Sequence, residues 1–308
     1  LQKNRIAIQA SSQLRSAMER NRRNEKSRGP TFPQKQATHK AAPRRSSGEE
    51  KGWDGVAGWY DKLVGADGSD YHQHVILPAV MDLLTISPGE NVLDLCCGQG
   101  VLVRHLLAAG ASRVLGVDAS GKLIGAARQR YGSEKKASFL KADACAANDW
   151  ADGSFDAAAC VMAFHDVPDA AALMKNLFAA LKPGGRVAIV MMHPCFRIPQ
   201  QSHWGWDGDQ KIQYRRLDKY GKPIEIAIQT RPGLGTEEGT IFYHRPLADV
   251  ISAMGAAGLG VTRCTELFSH RRSQVGPFSK AEHKAAEEFP LFLGLAATKP
   301  ASFHDRSH

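Results

Sequence analysis

The chain has 308 residues, 43% of them hydrophobic, which suits one domain of about 250 residues plus an appendage. No apolar run reaches the ~18 residues that span a bilayer, so the pattern excludes a transmembrane helix. The net charge of +9 is concentrated: residues 1–50 hold 12 Lys/Arg against 4 Asp/Glu, and the remainder 28 against 27. The body is nearly neutral, which argues against a folded surface built to bind polyanions.

Residues 1–50 are rich in Arg, Lys, Ser, Gln and Asn and poor in aromatics. Such a segment cannot bury enough apolar surface to offset its ordering entropy, so a basic, disordered tail is expected. Arg20, Arg22, Arg23, Lys26 and Arg28 also suit an arm that follows RNA. An Arg-rich, acid-poor composition equally suits an organelle-targeting segment, and Leu1 in place of Met reads as a processed or partial chain. The six cysteines show no C-x-x-C spacing. Free thiols in a reducing intracellular compartment, cytoplasmic or organellar (mitochondrion or plastid), are the expectation, with no metal site.

Beyond the tail, apolar residues recur at three-to-four spacing over 53–63 and 71–84, predicting two helices. Short apolar runs then alternate with helical patterns. Strands are predicted over 91–95, 113–117, 137–141, 157–161 and 186–191, and helices over 101–109, 122–131 and 170–181. That alternation predicts a mostly parallel sheet with helices on both faces. Near the end a helix over 247–257 precedes strands over 260–267 and 291–297. No helical pattern fits cleanly between those strands, and the charged stretch 279–288 is expected to be exposed, so a closing antiparallel pair is predicted. Residues 194–245 break the rhythm and carry Trp204, Trp206, Tyr214, Tyr220, Phe242 and Tyr243 among arginines. There 212–217 and 223–230 alternate like the two arms of one hairpin. An insertion after the fifth strand overhangs the crevice where open α/β sheets bind ligands, so it reads as a lid.

The first strand runs into Asp94-Leu-Cys-Cys-Gly-Gln-Gly100, a glycine turn that aims backbone amides at a ligand. Eighteen residues past Gly100, the second strand ends in Asp118, placed to take both hydroxyls of a ribose. The pattern is therefore that of a nucleoside-binding enzyme. A dinucleotide fingerprint is missing its last glycine, because Val103 stands there.

Five motifs in order make residues 53–298 resemble the class I S-adenosylmethionine (SAM)-dependent methyltransferases. They are the Asp94–Gly100 loop, with Cys96 at the family's first glycine; Gly116-Val-Asp-Ala-Ser120; Lys141-Ala-Asp-Ala144; the run from Phe155 to Pro168; and Leu181-Lys-Pro-Gly-Gly185. The resemblance implies an α/β, doubly wound, mostly parallel seven-stranded sheet (the Rossmann-like methyltransferase fold) over residues 51–308, with the lid insertion at 194–245. It implies SAM as cofactor, held by Asp94, Cys96, Gly98, Gly100, Asp118, Ala119, Asp143, Ala144 and Ala163. Within it, Asp118 takes the ribose and Asp143 the adenine amino group. Asp94 orients the loop or meets the cofactor's ammonium.

His165 and Asp166 close the fourth strand, facing the methionine half of the cofactor, and His193 leaves the fifth; His165 and His193 are the candidate catalytic residues, as acceptor-site bases. Arg197 is a candidate for an acceptor anion, and the aromatics of the insertion for a flat acceptor. Pro194-Cys195 follows the wrong strand for a cytosine-C5 enzyme. Ala163-Phe-His-Asp166 replaces the N-P-P-Y loop of enzymes that methylate base amino groups. A small-molecule acceptor is expected; the alternative is an RNA-directed methyltransferase, or an RNA-bound assembly factor of the same fold, using the basic tail of residues 1–50.

Overall fold

The computed structural model describes residues 52–146, 149–229, 239–273 and 275–301. The basic tail lies outside them. The chain enters through α1 (Trp53–Val64) and α2 (Leu77–Leu84) and then alternates: β1 (Asn91–Leu95), α3 (Val103–Ala108), β2 (Arg113–Asp118), α4 (Gly121–Tyr131), β3 (Ala137–Lys141), β4 (Phe155–Val161), α5 (Ala170–Ala180) and β5 (Leu181–Met192). Four short strands follow: β6 (Ser202–Asp207), β7 (Ile212–Leu217), β8 (Ile224–Gln229) and β9 (Gly239–His244). The chain closes with α6 (Leu247–Ala256), β10 (Gly260–Leu267), α7 (Ser279–Glu288) and β11 (Phe292–Thr298).

Seven strands form one sheet in the order β10-β11-β5-β4-β1-β2-β3. Strands β1 to β5 are parallel, while β11 is antiparallel to both β5 and β10. The order reverses between β1 and β4, and the carboxyl ends beside that reversal are where such sheets bind ligands.

Alternation along the strands divides the core. On one face Leu93, Leu95, Val117, Cys160, Ile189 and Leu295 pack against Leu173, Met174 and Leu177 of α5 and Met254 of α6. On the other, Val92, Val114, Ala157, Ala159 and Val190 meet Val80 and Leu84 of α2 and Val103 and Leu106 of α3. Side chains of period two thus feed two helical layers, the arrangement that holds a parallel sheet buried on both sides.

Four departures from the sequence expectation have physical causes. The helix predicted over 71–84 is split: His72–Ile76 is π-helical, with the Leu77 N–H bonded to the His72 carbonyl. Pro78 sits in the first turn of α2, has no N–H to give the carbonyl four residues back, and so interrupts the regular ladder. The hairpin predicted from 212–217 and 223–230 is two hairpins. β7 pairs backward with β6 and β8 pairs forward with β9. Asp207 Oδ1 accepts the N–H groups of Asp209 and Gln210, and this side-chain turn reverses the chain between β6 and β7. A helix does stand between the last two strands. α7 buries only Ala285 among its residues, so its charged pattern concealed it. At the start of β5, Lys182 to Gly185 bulge out of the β4 pairing, which passes from Phe155–Leu181 to Ala157–Arg186. The strand predicted over 186–191 therefore begins earlier, at Leu181.

Candidate functional site

The glycine turn leaves β1 between β2 and β4. Cys96, Gly98 and Gly100 all have positive φ, at 59°, 55° and 83°. Cys96 therefore adopts the left-handed conformation that glycine takes readily and other residues at a cost. Gly116 on β2 supports the turn from behind: a Cβ there would meet Phe139 at 2.7 Å and Cys97 Sγ at 2.9 Å.

Asp118, at the end of β2, is clamped to this loop. Its Oδ2 accepts the Gly98 N–H at 2.9 Å and its Oδ1 the Ser120 N–H at 2.8 Å. Burial still raises its pKa, and the nearby Asp54 adds to the rise. Ser120 caps α4 by accepting the Leu123 N–H at 3.1 Å. Its hydroxyl donates to Asp54 of α1, and Asp54 also accepts the Lys122 N–H at 3.1 Å. Arg130 of α4 donates both to the Gln99 carbonyl at 2.9 Å and to Asp61 of α1 at 3.0 Å. Two polar ties thus fasten α1 across the mouth of the turn.

Below α1 lies a cavity of about 140 Å³. It is lined by Asp94, Cys96, Gly98, Asp118, Ala119, Asp143, Ala144 and Ala163, which are eight of the nine residues expected to hold the cofactor. Gly100 is not on its wall; a Cβ there would meet Tyr131 at 3.1 Å and Phe139 at 3.2 Å, so this glycine serves loop packing. Asp143 Oδ1 accepts the Cys145 N–H at 2.9 Å, fixing the turn after β3. Trp53 and Tyr60 of α1 form the roof, and Asp166 closes the far wall.

Two buried polar atoms around this cavity have no hydrogen-bond partner among the described residues: Asp94 Oδ2 and Gln99 Nε2. Leaving such groups unpaired is costly, so a ligand that meets both fits the site. The carboxyl of Asp94 calls for a donor and the amide of Gln99 for an acceptor. The ammonium and carboxylate of an amino-acid moiety supply one each. Burial, and then the charge of Asp118, push Asp94 up to about 8, and the same two causes push Asp166 up to about 8. Burial, followed by Asp166 and Asp118, raises the Tyr60 phenol far above its usual range. Asp166 lines the cavity at the end of the fourth strand, on the side expected to face the cofactor, whereas the sequence reading missed Gln99, Trp53 and Tyr60 as cavity residues. The apolar stripe of the first helix was the available signal for the two aromatics.

The candidate bases stand elsewhere. His165 turns away from the cavity and packs against Phe242, with ring centroids 4.8 Å apart. Its Nδ1 has no partner, and burial followed by Arg245 pushes it down to about 4. His193 is 2% exposed; its Nδ1 accepts the Cys195 N–H at 3.2 Å and its Nε2 lies 3.3 Å from Glu266. Among the described residues, Asp70, His74 and His270 also gather three metal-ligand side chains, all exposed, but Arg271 donates to Asp70 at 2.6 Å.

A doubly wound sheet with a clamped acidic tip, a strained glycine-type turn and unpaired groups for an amino acid defines a nucleoside-binding α/β protein of the methyltransferase type. Comparison with known proteins agrees. Residues 92–185 match the family described as "Methyltransferase domain". A ubiquinone biosynthesis O-methyltransferase of Aromatoleum aromaticum is 31% identical over 187 residues, covering 58% of this chain and 80% of that protein. An uncharacterized methyltransferase of Synechocystis is 35% identical over 115 residues; this chain spans 52% of its length and the match covers 37% of this chain. The crystal structure of a SAM-dependent methyltransferase from Mesorhizobium loti superposes with a TM-score of 0.59 at 26% identity, over 76% of this chain and 100% of that one. The chain belongs to the class I SAM-dependent methyltransferases, and SAM is its cofactor.

Proposed function

We propose that the chain methylates a small, flat acceptor held beneath the segment that links β5 to α6. The observation that carries the cofactor half is the opposed pair of unsatisfied atoms, Asp94 Oδ2 and Gln99 Nε2, beside the clamped Asp118. In this reading Asp118 holds the ribose hydroxyls, Asp143 and Ala144 the adenine, and Asp94 and Gln99 the amino-acid end.

The bound cofactor supplies a methyl group already activated on a sulfonium. The chain's own task is alignment and exclusion of water. Trp53 and Tyr60 cover the cavity. Asp166 faces it with its pKa raised to about 8, which matches a proton acceptor near neutral pH, so we assign it the acceptor's proton. We assign His165 and His193 positioning roles. His165 packs under β9, and His193 fixes the turn that leaves β5. The linking segment serves as the lid, and its own small core of Ile198, Ile226 and Phe242 keeps it shaped.

The ubiquinone biosynthesis O-methyltransferase relative supports an aromatic small-molecule acceptor. Six free cysteines support a reducing compartment. Among the described residues no helix is long and apolar enough to cross a membrane. The test is transfer of labelled methyl from SAM into cell extract fractionated into metabolites, RNA and protein, with Asp118→Ala as control. Label is expected in the metabolites; label confined to RNA or protein would refute a small-molecule acceptor.

A further inference from the structure

A second cavity, of about 390 Å³, opens where the linking segment meets the start of the π-helical turn and α7. Its floor is Leu291 and Phe292, where β11 begins opposite Met192. Its walls are aromatic. Tyr71 stands edge-on to Phe292 at 5.7 Å, and Trp204 edge-on to Phe289 at 5.4 Å. Both cavities lie at the carboxyl rim of the parallel strands. β4 and β11 are two strand spacings apart, roughly 10 Å. His72 borders the first cavity and its neighbour Tyr71 the second.

Arg197 also lines the second cavity, and its backbone is tightly held. The His193 carbonyl accepts the N–H groups of Phe196 at 3.1 Å and Arg197 at 2.8 Å. The guanidinium of Arg197 has no hydrogen-bond or ion-pair partner among the described residues. By contrast Arg130, Arg186, Arg215 and Arg245 each donate to a named oxygen. Glu282 lines the same cavity but is exposed and not bonded to Arg197. Arg215 adds a second positive charge nearby: burial, then Arg197, push it down to about 10. A half-buried cation without a counter-ion is costly, and the planar guanidinium matches a carboxylate through two parallel hydrogen bonds.

We propose that this cavity binds a small aromatic carboxylate, its ring against Tyr71, Trp204 and Phe292 and its carboxylate on Arg197, as the anchoring half of the methyl acceptor. This rests on the methyltransferase reading above. The acceptor is then a flat, singly anionic molecule of about two fused rings, long enough to carry its nucleophile from β11 back to the end of β4. A neutral molecule of the same outline leaves Arg197 unpaired and binds poorly.

The test uses the full chain saturated with S-adenosylhomocysteine and titrated in a calorimeter with 6-hydroxy-2-naphthoate or its methyl ester. The acid is expected to bind at least tenfold tighter than the ester. Arg197→Gln is expected to weaken the acid at least tenfold while moving the ester and S-adenosylhomocysteine less than twofold, and Arg197→Lys to restore part of the loss. Trp204→Leu, at a side chain 39% exposed, should weaken acid and ester alike by fivefold or more. No binding of the acid, or acid affinity within twofold of wild type in Arg197→Gln, overturns the proposal while leaving the cofactor site intact. Failure of S-adenosylhomocysteine itself to bind the wild-type chain is the separate result that removes the methyltransferase reading and this one with it.

Discussion

Asp94 and Asp166 carry most of what pH should do to this molecule. Both are held near 8 against an ordinary value of 3.8, chiefly by burial. Between those limits the folded chain binds more protons than the unfolded one, so stability falls as pH rises through the window. The melting temperature of the ligand-free protein should decline from pH 6 to pH 9, and Asp94→Asn should flatten the decline. Cofactor binding should run the other way. An ammonium needs Asp94 ionised, so affinity should climb toward pH 8. Calorimetry in buffers of different ionisation enthalpy should show proton release; a flat profile with no release would remove Asp94 from the ammonium site. Asp118→Asn loses charge-assisted bonds to loop and ligand and should weaken S-adenosylhomocysteine by roughly 2–4 kcal/mol. His165, held down to about 4, is neutral across this whole range, so a rate profile should show no limb near 6.5 from it.

At the scale of elements, α1 is the piece whose value to the site depends on its fastening. Asp54→Ala removes the acceptor for the Ser120 hydroxyl and the Lys122 N–H. It should cost about 1 kcal/mol of cofactor affinity and lower the hydrogen-exchange protection of residues 53–64. Asp169→Ala offers the contrast. It removes the cap of α5, where Asp169 accepts the Ala172 N–H at 2.9 Å, so it should lower stability by about 1 kcal/mol and leave cofactor affinity unchanged. The parallel strands were legible because short stretches rich in apolar residues recur between turns and helical patterns, and β1 and β3 fall on the predicted residues. The pairing of β6 to β9 was not legible, since alternation marks a strand but names no partner; the Asp207 turn decided that. The acidic tip was readable from spacing, because strand and turn lengths fix where Asp118 lands. Gln99 was not, since whether a buried polar atom has a partner depends on neighbours distant in sequence. His165 misled for a related reason. Its position at the end of β4 was right, but Phe242, far along the chain, turns its ring away from the cofactor cavity.

For the whole molecule, the charge distribution sets the expectation. Eight of the nine net positive charges lie in residues 1–50, and the rest of the chain is close to neutral. A small-molecule enzyme should then lose nothing on removal of residues 1–50: cofactor affinity, melting temperature and turnover of a small acceptor should all be unchanged. A loss of turnover that tracks loss of RNA binding would revive the RNA-directed alternative. The fastening of α1 also has a bearing on rate. The helix that carries Trp53 and Tyr60 is tied to α4 through Asp54 and Asp61, and Arg130 holds Asp61 and the Gln99 carbonyl at once. These ties are expected to slow release of spent cofactor, so inhibition by S-adenosylhomocysteine should ease in Asp61→Ala, and an unchanged inhibition constant would remove the helix from the release step.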